Sequence, residues 1–304
     1  LRGPVVRRDA VQSDIGATAK TQFLRLSRDD SGKPIALETS VVRYRSKDGK
    51  ILVDLIGAIH VGDPQYYRKL NRQFSQYQSL LYELVAPPQF QIPTRENLRN
   101  NGNPIRWLQT AMQQMLRLES QLEWIDYARP NFVHADLSPD ELQELMAARG
   151  QSVWTIALDA LREFSQQAKS DSPPITVSIG SGQDLFSLIG SPVRLKTMLA
   201  EQFADLERLE AGLGKSLGRL LINDRNDAAL KVLEQQIEQG KTKIGIFYGV
   251  AHMPDFERRL VDEFGLKKTQ QAWVAAWDFN SAPKTNPLSD TLQFLSEWTR
   301  LFGP

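Results

Sequence analysis

The sequence predicts an α/β fold: a mixed central sheet assembled from two distant βα halves, with a helical insertion between them. Three observations lead there. Short β-rich runs cluster towards the two ends of the chain, at 38–84 and 243–279. Within the first cluster a strand, a helix and a strand follow one another, the order of a βαβ unit. The stretch between the clusters, about 95–240, is patterned mainly as helix. Residues 1–35 are polar and weakly periodic, with charges at Arg7, Arg8, Asp9, Arg28, Asp29 and Asp30. They are expected to form an arm with at most one short strand, and 36–304 a single domain.

The elements follow in order. Glu38 to Ser46 and Ile51 to Ile56 read as strands joined by Lys47-Asp48-Gly49-Lys50. Asp-Gly between two β-rich runs is the strongest short hairpin signal. Asp63-Pro64 reads as an N-cap followed by proline at the first helical position, opening a helix to about Tyr77 with Tyr67, Leu70 and Phe74 on one face. Ser79 to Leu84 is the third strand. Pro87, Pro88 and Pro93 then break the chain, and Trp107, Leu108, Met112, Met115, Leu116 and Leu122 recur at helical spacing in a pattern running from about Pro104 to Met146. Ser138-Pro139-Asp140-Glu141 forms a capping box. Helices are expected at Val153–Phe164, Ser191–Glu210 and Lys215–Gln239, with a loop at Asp171–Gly182. Lys243 to Gly249 is a buried type of strand, Pro254 to Phe264 a helix, and Lys268 to Phe279 a long alternating strand. A final amphipathic helix would carry Leu292, Phe294, Leu295, Trp298 and Leu301.

Composition excludes several classes. The 304 residues carry 37 Lys+Arg against 36 Asp+Glu, a net charge of +1, which argues against a nucleic-acid partner and against a polybasic membrane-surface protein. Counting glycine and leaving out tyrosine, about 45% of the residues are apolar, the ordinary globular share, which excludes disorder over most of the chain. No apolar run approaches the roughly 18 residues that span a bilayer. The chain has no cysteine, so a disulfide framework, a thiolate zinc site, an iron–sulfur cluster and a Cys nucleophile are all excluded. His-Glu-x-x-His, a phosphate-binding glycine loop and a Gly-x-Ser-x-Gly elbow are absent as well. Gly180-Ser181-Gly182 is a loop, and Trp273, Trp277, Trp298 and Phe302 read most simply as core or as a contact surface for a partner subunit.

The chain has three histidines, and two of them have glycine three residues earlier: Gly57-Ala58-Ile59-His60 and Gly249-Val250-Ala251-His252. With 19 glycines in the chain, chance gives such a match roughly 1% of the time, so the spacing carries weight. Each corner follows an apolar strand and precedes a proline-started helix, at Pro64 and Pro254. Glycine there would let the backbone turn sharply or approach a ligand closely. Histidine just beyond would sit at the carboxyl edge of the sheet, where α/β proteins place their sites. The adjacent helix N-terminus favours anions and a neutral imidazole, able to act as metal ligand or base.

Glu83 closes the strand Leu80-Leu81-Tyr82-Glu83-Leu84 and would point to the same edge, as a third ligand in a His₂Glu site or as a general base. Arg225 and Asn226 lie in Asn223-Asp224-Arg225-Asn226-Asp227, five polar residues in a row. This stretch is either a solvated turn or the source of a guanidinium for an oxyanion or substrate carboxylate. His134, just before the capping box, is a third imidazole, a partner of Asp136, or a histidine satisfied within the fold.

Together these residues resemble the TraB/PrgY–Tiki superfamily, which includes erythromycin esterase-like and ChaN-like haem-uptake proteins. The likeness runs over about residues 50–265. It implies an α/β fold with both Gly-x-x-His corners at one site and, from the Tiki members, metal-dependent proteolysis. His60, Glu83 and His252 match the family's site positions, Arg225 and Asn226 its Arg-Asn step, and Gly57 and Gly249 its turn glycines. The helical middle does not match. The expectation is therefore a metal-dependent hydrolase. A divalent cation would be held by His60, His252 and Glu83, with Gly57 and Gly249 lining the cofactor site, Arg225 stabilising the oxyanion and Asn226 beside it, acting on a peptide or small ester. Three alternatives stand beside it: Glu83 and one histidine activating water without metal, a non-catalytic protein binding haem, metal or peptide in the same cleft, and a regulatory or interaction module whose site has decayed. The chain opens on Leu1, and with the family this suggests an exported location.

Overall fold

A computed structural model describes residues 20–85, 119–148, 150, 196–197, 199–201 and 222–280. Seven of its strands form one sheet. They are β1 (Leu24–Arg28), β2 (Pro34–Arg45), β3 (Leu52–Ala58), β5 (Ser79–Tyr82), β7 (Phe132–His134), β8 (Lys243–Gly249) and β9 (Lys267–Asp278). Two short strands, β4 (Val61–Gly62) and β6 (Glu119–Ser120), pair separately. The helices are α1 (Pro64–Phe74), α2 (Gln121–Trp124), α3 (Pro139–Ala148), α4 (Asp224–Glu238) and α5 (Met253–Asp262).

The long strand β2 organises the antiparallel part of the sheet. β9 pairs along nearly its whole length, while β1 and β3 share its other edge, one after the other. Beyond β3 the sheet turns parallel in the order β3-β8-β5-β7. The first βα half therefore supplies β3 and β5, and the second places β8 between them. This is the mixed α/β sheet, built from distant halves, that the sequence predicts.

Apart from buried Asp54, held by Arg43 and Tyr77, β3 and β8 are apolar on both faces because helices cover both. Ile56, Leu80 and Phe247 pack with Tyr66, Tyr67, Leu70 and Phe74 of α1. Val53, Leu55, Ile244 and Ile246 pack with Leu230 and Leu233 of α4 and Phe256 and Leu260 of α5. Strands covered on both sides are near-continuous apolar runs, as these are. The β2–β3 hairpin closes with Gly49 at φ 76°, a left-handed conformation that glycine adopts without strain. The Asp48 carboxylate accepts from the Ser46 hydroxyl and the Lys50 amide.

Several elements differ from expectation. Helix α1 ends at Phe74, and Asp63 does not cap it with its side chain. Its carboxylate instead accepts from Lys196 Nζ at 2.8 Å and the Asp278 amide at 2.6 Å. The helical pattern expected from about Pro104 to Met146 lies outside the described residues before 119 and fails over 119–138. There the chain forms β6, the single turn α2 and then β7, the outermost parallel strand of the sheet. Three residues of strand are too few to show any period, and Asn131 anchors the turn into β7 by donating to the Phe74 and Tyr77 carbonyls. The capping box forms as expected: Glu141 accepts from the Ser138 amide and hydroxyl, and the Ser138 hydroxyl accepts from the Glu141 amide. The short strand of the first 35 residues is β1, preceded by buried Phe23. Trp277 is buried, and Trp273 lies under the Arg25 guanidinium, 4.1 Å from its ring centre. The Val153–Phe164 helix, the 171–182 loop, most of the Ser191–Glu210 helix, the start of the Lys215–Gln239 helix, and the terminal helix with Trp298 and Phe302 lie outside the described residues. Among the described residues no helix is long and apolar enough to cross a membrane.

Candidate active site

The four parallel strands all end at one edge of the sheet, so whatever follows them converges. His60 comes two residues after β3, Glu83 directly after β5, Asp136 two residues after β7, and His252 closes the 3₁₀ turn Val250–His252 after β8. The first turn of α4 adds Arg225 and Asn226, both buried. The polar run that contains them is no solvated turn: these two side chains point inward while Asp227 reaches Arg259 at the surface.

Glu83 is the hub. Its Oε1 accepts from Arg225 at 2.8 Å and lies 3.6 Å from His252 Nε2, and its Oε2 accepts from the Gly249 amide at 2.6 Å. Arg225 also grips Asp136 with two bonds, at 2.9 and 2.6 Å. Burial alone would favour loss of its proton, but the hydrogen bonds to Asp136 and the charges of Glu83 and Asp136 push its pKa up. Burial works against ionisation of Glu83, yet His252, Arg225, His60 and the Gly249 amide outweigh it and bring the carboxyl down to about 2. His252 is pushed down to about 4, by burial first, against the pull of Glu83. Because His252 is then uncharged near neutral pH, Arg225 and the Gly249 amide are what keep Glu83 ionised there.

Each imidazole is held at Nδ1 by a carboxamide oxygen. His252 Nδ1 lies 2.7 Å from Asn226 Oδ1. The Asn226 nitrogen donates to Asp255 at 2.9 Å and to the His252 carbonyl at 3.3 Å, which leaves the oxygen for the ring. His60 Nδ1 lies 3.2 Å from Gln121 Oε1, while the Gln121 nitrogen donates to Tyr127 at 2.8 Å. His252 thereby presents Nε2 to Glu83, and His60 Nε2 lies beside Gly249. A Cβ placed on Gly249 would sit 3.2 Å from Glu83 Oε2, 3.5 Å from His60 Nε2 and 3.6 Å from His252 Cδ2. The missing side chain of that glycine lets Glu83 and both histidines gather around its α-carbon.

No family model, no curated protein and no solved structure matches this chain in comparisons with known proteins.

Of the residues singled out in the sequence, His60, Glu83, Arg225, Asn226, Gly249 and His252 come together. Gly57 does not: its α-carbon faces Val250 and the Ser40 carbonyl. Neither corner glycine has a positive φ, so both are there for close approach rather than for a backbone turn only glycine can make. His134 stays apart, its Nε2 2.6 Å from the Leu84 carbonyl. Asp136 pairs with Arg225 rather than with His134.

Sequence reasoning missed Gln121, Tyr127 and Asp255; of the alternatives for His134, the histidine satisfied within the fold is the one found. Asp255 was findable as an acidic residue in the first turn after Pro254. Gln121 and Tyr127 lie in the stretch read as helix and carried no signal.

Among the described residues, no group of three His, Asp or Glu side chains is arranged to hold a metal ion. The donor chemistry nevertheless suits a divalent cation. Two imidazoles offer Nε2 with Nδ1 anchored by an oxygen, the usual support for a ligating histidine. Each Glu83 oxygen, with one bond made, keeps a second lone pair. Two carboxylates share the single Arg225 guanidinium, so the pocket has one carboxylate in excess.

Proposed function

We propose that this chain is a metal-dependent hydrolase of the Tiki/TraB type, cleaving a peptide or small ester bond between the two Gly-x-x-His corners. The observation that carries the reading is the meeting at Gly249 of both corner imidazoles and Glu83, each ring fixed at Nδ1 by an amide oxygen. His60, His252 and Glu83 would hold the cation, which when bound acidifies a water for attack on the carbonyl. The resemblance to the TraB/PrgY–Tiki superfamily points the same way.

The chain's own residues have distinct tasks in this reading. Asn226 and Gln121 keep the Nδ1 protons in place, leaving Nε2 as the donor atom in each neutral ring. Arg225 and the Gly249 amide keep Glu83 ionised. Asp136 absorbs much of the guanidinium charge that would otherwise repel a cation. Because Arg225 is bound to two carboxylates, it acts by holding Glu83; that makes it a positioning residue rather than an oxyanion donor. His60 is exposed while His252 is buried, so substrate would approach past His60.

One feature favours a metal-free variant of the same hydrolysis. Both Glu83 oxygens are already engaged, and a carboxyl held at about 2 is a poor proton acceptor. In that variant His60 Nε2 takes a proton from water as the hydroxyl oxygen adds to the carbonyl carbon, and returns it to the leaving group.

Metal content should be measured on protein purified without a histidine tag, alongside hydrolysis of peptide and ester panels with and without chelator. The metal reading expects stoichiometric metal, loss of hydrolysis with chelator, and loss of both in His60→Ala and His252→Ala. Hydrolysis that survives chelation but not His60→Ala would select the metal-free variant. If neither substitution changed metal occupancy or hydrolysis, both would be lost.

A further inference from the structure

We propose that Gln121, held by Tyr127, is the positioning residue of the first corner, setting the tautomer and direction of the His60 ring as Asn226 does for His252. The assignment deepens the hydrolase reading, but only its consequence for zinc affinity rests on it.

Two contacts tie Gln121 to His60, and a strand pairing beside them fixes the register. Its Oε1 lies 3.2 Å from His60 Nδ1, and its backbone amide donates to the His60 carbonyl at 2.9 Å. Directly alongside, β4 and β6 pair Val61 with Ser120 and Gly62 with Glu119. The segment 119–127 is therefore strapped to the loop that carries His60, and Gln121 reaches the ring from a register set by the backbone. Gln121 is also buried, with 5% of its surface exposed, beside an exposed histidine. A buried amide keeps a partner on each end, and this one spends its nitrogen on the Tyr127 hydroxyl at 2.8 Å.

The second corner makes the same arrangement with different parts. There the amide is Asn226, its nitrogen is taken by Asp255, and its oxygen meets His252 Nδ1. Two unrelated stretches of chain thus bring a carboxamide oxygen to the same ring atom of the two corner histidines. An amide oxygen only accepts, so each Nδ1 bears the proton and each Nε2 keeps its lone pair in the neutral ring. Tyr127 is the amide's other partner: its ring packs against Tyr82 and Phe132, at 5.2 and 5.7 Å between centres. Its hydroxyl is thereby placed to accept from the Gln121 nitrogen.

The test is the His60 tautomer, read from two-bond proton–nitrogen correlations in ¹⁵N-histidine-labelled full-length protein with the ring in its neutral form. His60→Ala assigns the signals. The wild type should show the Nδ1–H tautomer. Gln121→Met, close in volume but without an acceptor, should shift His60 towards Nε2–H, and Gln121→Glu, which keeps an acceptor, should restore Nδ1–H. Tyr127→Phe, which frees the Gln121 nitrogen, gives a mixture of tautomers and serves if Gln121→Met does not fold. An Nε2–H ring in the wild type, or a pattern unchanged in both Gln121→Met and Tyr127→Phe, overturns the assignment. Zinc affinity adds a second readout: about 10–100-fold weaker in Gln121→Met and near wild type in Gln121→Glu. Equal zinc affinity in all three overturns the functional consequence. A wild type with the Nδ1–H tautomer but neither zinc binding nor hydrolysis would sink the hydrolase reading and leave the role of Gln121 standing.

Discussion

The two Gly-x-x-His corners are alike in sequence and unlike in use. The second is sealed: His252 is buried, anchored through Asn226 to Asp255, and packed edge-on against Tyr248 at 5.2 Å between rings. The first is open: His60 is exposed and held by Gln121. Their glycines differ in the same way. Gly249 makes room for Glu83 and both histidines, whereas Gly57 makes room for Val250 of the other corner. A repeated motif here places one rigid inner imidazole opposite one accessible outer one. That asymmetry suits a site that must hold its chemistry still and yet admit a substrate.

The comparison breaks first at Arg225, which belongs to the sealed side. Arg225→Met would leave Glu83 and Asp136 as buried carboxylates with no counter-charge. Breaking a buried pair by removing one partner costs about 3–5 kcal/mol. Urea unfolding should show a loss of that size, and a loss below about 1 kcal/mol would mean that water reaches both carboxylates and the inner side is not sealed.

Acid should weaken the same side next. The folded pKa of His252, about 4, lies below its ordinary 6.5. The neutral ring's contribution is therefore fully present above pH 6.5 and lost as pH falls through about 4. At 1.36 kcal/mol per unit the shift is worth about 3 kcal/mol in order of magnitude. Glu83, brought from 4.5 to about 2, adds a further loss below pH 4.5. Unfolding free energy of chelator-treated protein should fall across this window. His252→Gln should flatten the limb between pH 6.5 and 4, and an unchanged slope there would show that the ring is not buried uncharged.

The two glycines give a smaller and sharper contrast. In Gly57→Ala the new methyl meets Val250 Cγ2 at 3.3 Å, an overpacking effect of up to about 1–3 kcal/mol that should appear as stability. In Gly249→Ala it meets the pinned Glu83 carboxylate and His60 Nε2, and should appear as lost zinc affinity and hydrolysis. Equal profiles for the two variants would erase the distinction between the corners.

What was legible in the sequence follows from the range of the interactions involved. Asp54 apart, β3 and β8 are apolar on both faces, and their glycine–histidine spacing is local, so they stood out. Glu83 was visible because a carboxylate ending an apolar strand is unusual within a few residues. β7 was not: its three residues have no measurable period, and it is a strand because β5 offers it an edge. Gln121 was invisible for the same reason, since its role comes from pairing of β4 with β6 across some sixty residues. The burial of Arg225 is likewise tertiary. Its neighbours in sequence are polar, and Asp136 and Glu83, brought in after other strands, make a buried guanidinium tolerable.

The smallest effect separates the corners through their tyrosines. Tyr67 donates to the Ile59 carbonyl at 3.1 Å, one residue before His60, and the Tyr248 hydroxyl donates to the Ala135 carbonyl, one residue before Asp136. Removing either hydroxyl costs about 1 kcal/mol, with more if the carbonyl is left dry. The difference lies in where the loss is felt. The carbonyl freed by Tyr67→Phe is on the open loop, where water can replace the bond. Amide exchange should therefore speed up around His60 while the global unfolding free energy moves little. The carbonyl freed by Tyr248→Phe is on the buried side, next to the carboxylate that holds Arg225, so its amides should exchange only through global unfolding and the cost should appear there. If Tyr248→Phe instead accelerated exchange locally, the second corner would be as mobile as the first, and the division into a fixed inner histidine and an accessible outer one would fail.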